Sequence, residues 1–261
     1  MNPINNNEIP TAILATVGNI TKMTFPKQGC TSDVAILDGL HGQFVLKRAK
    51  IEQFRTWLAR EVFVLNSLSQ TVLPVPNVFR FVEENNQSWV LMEFFQGQTL
   101  RDYLARERDP ENRHQAIFNF GKILTTLHAT ECPNELKSEE LWLDELLERA
   151  QYNLDHYQVD GSQELLDQLM KDKPAPYKQT LIHGDFTIDN VLVHEGEIIG
   201  VIDWSGGAYG DPRYDAALAI RPKRNAFETD EDKESFFEGY GKKFITKQDY
   251  EYFENGLYEF F

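Results

Sequence analysis

Cysteine is scarce in this chain: Cys30 and Cys132 lie far apart and have no companions. That scarcity rules out a disulfide framework or a cysteine-built metal site, and two plain thiols in a reducing compartment are expected. No apolar run approaches the ~20 residues that a bilayer-spanning helix needs. The opening Met-Asn-Pro-Ile-Asn-Asn-Asn-Glu has neither a basic region nor an apolar core, so no signal peptide is expected. Together these features predict a cytoplasmic protein. Basic residues are also few, 26 Lys and Arg against 41 Asp and Glu, for a net charge of −15. So acidic a balance argues against a nucleic-acid backbone as partner. It leaves two readings open, plain solubility or the steering of a cationic partner. No histidine has metal-ligand spacing, so zinc is not expected.

What is present is an ordinary globular composition, 41% hydrophobic over 261 residues, enough for one large core or two lobes. The first third reads as strands at residues 20–25, 33–38 and 43–48, then a hairpin of 77–83 and 88–93 turning at Asn85-Asn86. A helix is expected between them, from about Glu52 to Ser69. From Thr99 the reading turns helical. Asp109 is a plausible N-cap with Pro110 at the first helical position, and Ile117, Phe120, Leu124 and Leu127 follow on one face. More helix is expected over 138–170, after Pro212, and from Asp230 to the end. The pattern predicts an α+β fold. Residues 1–94 form an N-terminal lobe of antiparallel sheet with one helix, and 95–261 a mainly helical lobe, with ligands expected in the cleft.

The richest stretch is 181–204. It holds Asp185, then Asn190 five residues later, then a hairpin across Glu195-Gly196 that ends on Asp203. A kinase-type phosphotransferase needs those groups in that order: a carboxylate to take the hydroxyl proton, then an amide and a carboxylate as hard oxygen ligands for magnesium. His183, two residues before Asp185, reads as a backbone-bonded brace, and His128 as a core histidine.

Upstream, the helix from Glu52 carries Phe54, Trp57, Leu58, Val62, Leu65 and Leu68 on one stripe, and Glu61 falls inside it. A carboxylate on a buried face is costly unless a cation meets it. Lys47 shares its strand face with Val45 and Ala49, so it too points at an apolar side. An ion pair across the strand–helix contact is the functional expectation, aiming the ammonium at the phosphates of ATP. The plainer alternative pairs Glu61 with solvent or Arg60. The polar turn of Gly29, Thr31 and Ser32 would then cover the phosphates.

Taken together, His183-Gly-Asp185, Asn190 and Ile202-Asp-Trp204 closely resemble the aminoglycoside phosphotransferase and choline kinase-like family. Phe44-Val-Leu-Lys47, Glu61, Leu91 to Gly97, Leu124 to His128 and Gly210 to Asp215 match as well, so the resemblance covers about residues 20–220. It implies a two-lobed protein-kinase-like fold, ATP as donor and Mg2+. It also implies an adenine pocket of Val45, Met92, Glu93 and Phe95 beside Phe94, and a bracing role for Asp215. Two departures stand out. Thr187-Ile-Asp189 replaces the frequent His-Pro-Gly, with Asp189 read as a loop cap rather than a metal ligand. Trp204 follows Asp203 where protein kinases carry Gly, which favours a small-molecule acceptor over protein. The expected partners are therefore ATP and a small hydroxyl compound, with neither nucleic acid nor membrane; no oligomeric state is specified. Acceptors of the family include aminoglycosides, choline, homoserine, sugars and macrolides, and Glu228, Asp230 or Glu231 could hold an ammonium group. The alternative is a catalytically weak nucleotide-binding regulatory protein on the same fold.

Overall fold

Alternation of apolar and polar residues builds the first part of the chain. The computed structural model describes residues 3–26 and 31–261. It divides the chain into two compact units, Met1–Gln96 with Gly200–Ser205, and Gly97–Ile199 with Gly206–Phe261.

In the first unit, α1 (Thr11–Val17) precedes strands β1 (Ile20–Thr24), β2 (Asp33–Gly39) and β3 (Gly42–Ala49). Helix α2 (Glu52–Leu68) follows, then β4 (Val78–Glu84) and β5 (Gln87–Glu93). The strands form one antiparallel sheet in the order β1-β2-β3-β5-β4. Asn85 and Asn86 both take positive φ, 52° and 56°, which a two-residue hairpin turn demands and asparagine tolerates best after glycine. Period-2 alternation splits β3 between two environments. Phe44 and Leu46 join Ile9, Ile13, Val17, Leu37, Trp89 and Leu91 in a core. Val45, Lys47 and Ala49 are on the opposite face of the strand.

Helix α1 is a correction to the expectation of a single helix in this lobe. Seven residues lie below the length at which helical periodicity speaks for itself. Ile13 and Val17 are fully buried, so tertiary contact rather than propensity holds the helix. The same core hides Arg48, whose guanidinium lies 5.1 Å from the Trp89 ring and bonds Asp33 at 2.8 Å and Glu8 at 3.0 Å.

The second unit starts with β6 (Gln98–Thr99), α3 (Leu100–Arg106) and α4 (Pro110–Ala129). As expected, Asp109 caps α4 by accepting from the N–H of Glu111 at 2.8 Å. The helix expected over 138–170 comes in two pieces, α5 (Trp142–His156) and α6 (Gln163–Lys171). The break is where Asp160 and Gly161 donate their N–H groups to the Glu259 carbonyl, and Ser162 caps the new helix through the Leu165 N–H. Strands β7 (Thr180–Ile182), β8 (Val191–His194) and β9 (Glu197–Val201) follow. The β8–β9 turn repeats the positive-φ solution at Glu195 and Gly196. Then come β10 (Ala208–Gly210), α7 (Pro212–Ala219), α8 (Asp230–Tyr240) and α9 (Lys247–Phe253). The helical stretch expected from Asp230 onward is α8 and α9, divided because Gly241 terminates α8 in the left-handed region and Thr246 caps α9 afresh. A 3-10 turn, Leu257–Phe260, closes the described chain.

Candidate active site

Each unit carries part of the constellation anticipated from the sequence. In the first, Lys47 Nζ lies 2.6 Å from Glu61 Oε1, and it also bonds Asp203 Oδ1. The Arg60 guanidinium lies over the Phe63 ring. Glu61 is 4% exposed, which explains why so costly a group sits on an apolar stripe only with a cation in reach. Burial, the largest influence on Lys47, favours its neutral form, but Asp203 and Glu61 outweigh it and raise its pKa. For Glu61, burial raises the pKa and Lys47 opposes it. The two shifts pull the pair in opposite senses, and the 2.6 Å contact decides for the ion pair with Lys47 charged.

Asp203 has φ of +64°, a left-handed conformation that few residues other than glycine adopt. The surrounding structure holds it there: Trp204 next in sequence is fully buried, with its indole N–H bonded to the Val201 carbonyl at 2.9 Å. Strained backbone of this kind concentrates where geometry matters for function.

The expected adenine-pocket residues are on β3, β5 and the segment after β5. Val45 pairs with Met92 in register, on the same strand face as Lys47. The Glu93 carboxylate is occupied by Asn77, whose amide donates at 2.6 Å, so any nucleotide contact by Glu93 is left to its backbone. Phe95 lies flush on Gly200, where an added Cβ would come within 2.6 Å of the ring. Phe94 is half-buried beside it, and Thr31 and Ser32 lead into β2. Gly29 lies outside the described residues, as does Cys30.

In the second unit, Asp185 follows β7 in a loop held by its own backbone. Gly184 has φ of +82°, and a Cβ there would collide with the Gly206 carbonyl oxygen, so only glycine fits. Fully buried Asp215 accepts from the N–H groups of His183 at 2.7 Å and Gly184 at 2.8 Å. His183 is the brace expected: its Nδ1 accepts from the Asp185 N–H at 3.2 Å. His128 lies against the same Asp215 at 3.4 Å. Asn190 donates through Nδ2 to both the carbonyl and Oδ2 of Asp185, each at 2.8 Å. That settles which way the amide points and leaves Oδ1, the hard oxygen, as its acceptor end. The Asp189 carboxylate is taken up by Arg101. Arg101 grips it with two nitrogens, Nη2 at 2.5 Å, and the Arg101 N–H donates to the Ile188 carbonyl at 3.0 Å. The Asp189 carboxylate therefore makes an ion pair with a side chain instead of the loop cap expected.

One residue at this loop went unpredicted. Tyr258, from the closing 3-10 turn, donates its phenol O–H to Asp185 Oδ1 at 3.2 Å. No spacing could have signalled it, because 73 residues separate the two. Glu228, Asp230 and Glu231, expected as ammonium holders, are all exposed. Asp230 pairs with Lys233 one turn along α8.

Magnesium is tested by the donors themselves. A carboxylate at Asp203 and an amide oxygen at Asn190 are hard ligands of the kind the ion takes, one or two per site, with phosphates and water completing the shell. Among the described residues no group of three or more His, Cys, Asp or Glu could hold a metal, so a dedicated all-protein cage is not what these residues build. Each of the two donors, one in each unit, has the chemistry of a magnesium ligand.

A model of the phosphotransferase enzyme family matches residues 22–253. The chain belongs to that family. Among curated relatives, the aminoglycoside 3'-phosphotransferase of Streptomyces fradiae is 28% identical over 228 residues, covering 78% of this chain and 80% of that one. Mouse acyl-CoA dehydrogenase family member 10 is 25% identical over 174 residues, covering 62% of this chain. An Arabidopsis thaliana relative, probable acyl-CoA dehydrogenase IBR3, is 28% identical over 207 residues and 68% of this chain. The chain spans only 16% and 24% of the lengths of those last two proteins. In fold, the phosphotransferase chain superposes on the crystal structure of an aminoglycoside-3'-phosphotransferase of type VIII with a TM-score of 0.76, at 22% identity over 96% of this chain and 98% of the other. It also matches a thermostable mutant of aminoglycoside phosphotransferase APH(4)-Ia, solved with ADP and hygromycin B, with a TM-score of 0.61, at 22% identity over 80% and 74% of the two chains. The α+β, protein-kinase-like fold is therefore established. Among the described residues no helix is long and apolar enough to cross a membrane.

Proposed function

We propose that this phosphotransferase moves the γ-phosphate of ATP to a hydroxyl of a small molecule, with Asp185 as base, Lys47 on the donor phosphates, and Asn190 and Asp203 as magnesium ligands. The observation that carries the reading is the Asp185–Asn190 pair at 2.8 Å, braced through His183 and Gly184 by buried Asp215. A carboxylate so tightly placed accepts the proton of an incoming hydroxyl as its oxygen bonds to the γ-phosphorus and the bond to the departing ADP oxygen breaks. Bound magnesium would neutralise phosphate charge. Lys47, kept charged by Glu61, does the same for the donor from the protein side. Glu61 thereby aims the ammonium instead of leaving it to solvent. Val45 and Met92 supply an apolar wall for adenine, the backbone near Glu93 and Phe95 offers it hydrogen bonds, and Thr31 and Ser32 serve the phosphates.

Aminoglycosides stand first among acceptors, as in the names of the phosphotransferase relatives, followed by the choline, homoserine, sugars and macrolides that the sequence resemblance implies. Transfer from γ-labelled ATP across that panel tests the reading. Asp185→Asn is expected to lower transfer about 10²–10⁴-fold, and Asp203→Ala to weaken ATP binding that depends on magnesium. ATP binding with no transfer to any acceptor or to water, in a well-folded parent, would instead mark a regulatory nucleotide-binding protein.

A further inference from the structure

We propose that Tyr258 is a positioning residue for phosphoryl transfer: its phenol O–H holds Asp185 Oδ1 in the orientation from which an acceptor hydroxyl is deprotonated. This rests on the assignment of Asp185 as base.

The two carboxylate oxygens of Asp185 are held from two sides. Oδ2 accepts from Asn190 at 2.8 Å and Oδ1 from Tyr258 at 3.2 Å. A carboxylate pinned at one oxygen can still turn about its Cβ–Cγ bond, whereas one pinned at both has a defined plane. Each carboxylate oxygen has two lone pairs, so a bond from Tyr258 does not by itself exhaust Oδ1. Asn190 cannot do both jobs, because its amide nitrogen is already shared between the Asp185 carbonyl and Oδ2.

Tyr258 is built in rather than hanging at a chain end. The turn that carries it buries Leu257 and Phe260 completely. Asn153, on α5, donates to the Phe260 carbonyl at 2.8 Å, and Asp160 and Gly161 donate to the Glu259 carbonyl at 3.1 and 2.9 Å. The Arg221 guanidinium lies 4.0 Å from the centre of the Tyr258 ring, within the range of a cation–π contact, and Glu254 holds that guanidinium at 2.5 Å. Burial first, then the Asp185 charge, pushes the Tyr258 phenol up to about 12, so the group remains a donor at any working pH. Tyr258 also lines a cavity of about 670 Å³, together with Arg221, Tyr250 and Glu254.

Hydrolysis of ATP in the presence of magnesium, with water as acceptor, tests this without a known substrate. Asp185→Asn is the control for the underlying reading. If it hydrolyses ATP as fast as the parent, Asp185 is not the base, and the proposal falls with that reading. With the control inactive, Tyr258→Phe keeps the ring on Arg221 and removes only the hydroxyl. Its kcat is expected to fall about tenfold, the scale of a hydrogen bond to a charged group. KM for ATP and the thermal midpoint should stay near the parent values. Tyr258→Leu, which removes ring and hydroxyl together, should lose the same activity and some thermal stability as well. A Tyr258→Phe enzyme with kcat within about twofold of the parent, or faster, overturns the proposal, since ring packing alone would then account for the residue.

Discussion

Lys47, Glu61 and Asp203 show how a single buried charge sets the terms for its neighbours. The side chains of Lys47 and Glu61 are 11% and 6% exposed, and each makes the burial of the other tolerable. Removing only the cation leaves a carboxylate stranded, whereas removing both leaves an apolar contact. Lys47→Met is therefore expected to destabilise the protein by about 3–5 kcal/mol, less whatever Glu61 recovers by taking up a proton. The double variant Lys47→Met with Glu61→Leu should regain most of that stability in urea denaturation. It should regain no phosphate transfer, because the ammonium aimed at the donor is gone. A double variant as unstable as the single one would show that the pair is not the source of the cost.

At the scale of elements, the tightest constraint is the crossing of α4 and α8. A Cβ on Gly239 would collide with the Phe118 carbonyl oxygen, which is helix backbone and cannot swing aside. The close approach lets Phe236 and Phe120 pack at 5.4 Å and brings Phe120 face to face with Phe186, at 4.7 Å, next to Asp185 in the sequence. Gly239→Ala is expected to cost roughly 1–3 kcal/mol, as over-packing does, even though alanine has the better helix propensity. The midpoint of urea denaturation checks it. A stabilised variant would mean the helices part without penalty. The same crossing shows why some elements were legible in sequence and others were not. Helices α2 and α4 could be read because long stripes and the Asp109-Pro110 cap are local signals. Helix α1 and the break between α5 and α6 could not, because buried Ile13 and the bonds from Asp160 and Gly161 to Glu259 depend on residues distant in the chain.

Across the whole molecule, buried phenols govern the response to alkali. Tyr214, Tyr240, Tyr250, Tyr252 and Tyr258 all have pKa values raised by burial in the first place. The folded state keeps these protons after the unfolded chain has released them. The stability they contribute is therefore complete below a pH of about 10, where unfolded tyrosine ionises. It declines above that, with the Tyr258 share gone once the pH passes about 12. Urea midpoints are expected to fall steadily above pH 10, with tyrosinate absorbance lagging behind that of the unfolded chain. A midpoint flat across that range would contradict the assignment.

The sequence by itself determined the chemistry on offer. Asp185, Asn190 and Asp203 at their spacing, Lys47 on an apolar strand face, and Glu61 inside an apolar stripe are facts of periodicity and local order. Lys47 and Glu61 follow from the repeat of strand and helix, and the other three from their order along a loop and hairpin, so no tertiary knowledge was required to pick them out. Only the tertiary structure decided their company: Asp203 bonded to Lys47, Asp189 held by Arg101, and Tyr258 on Asp185. Those pairings join residues 73 to 156 positions apart. Contacts of that length arise from how whole elements pack, and a local pattern carries no record of them.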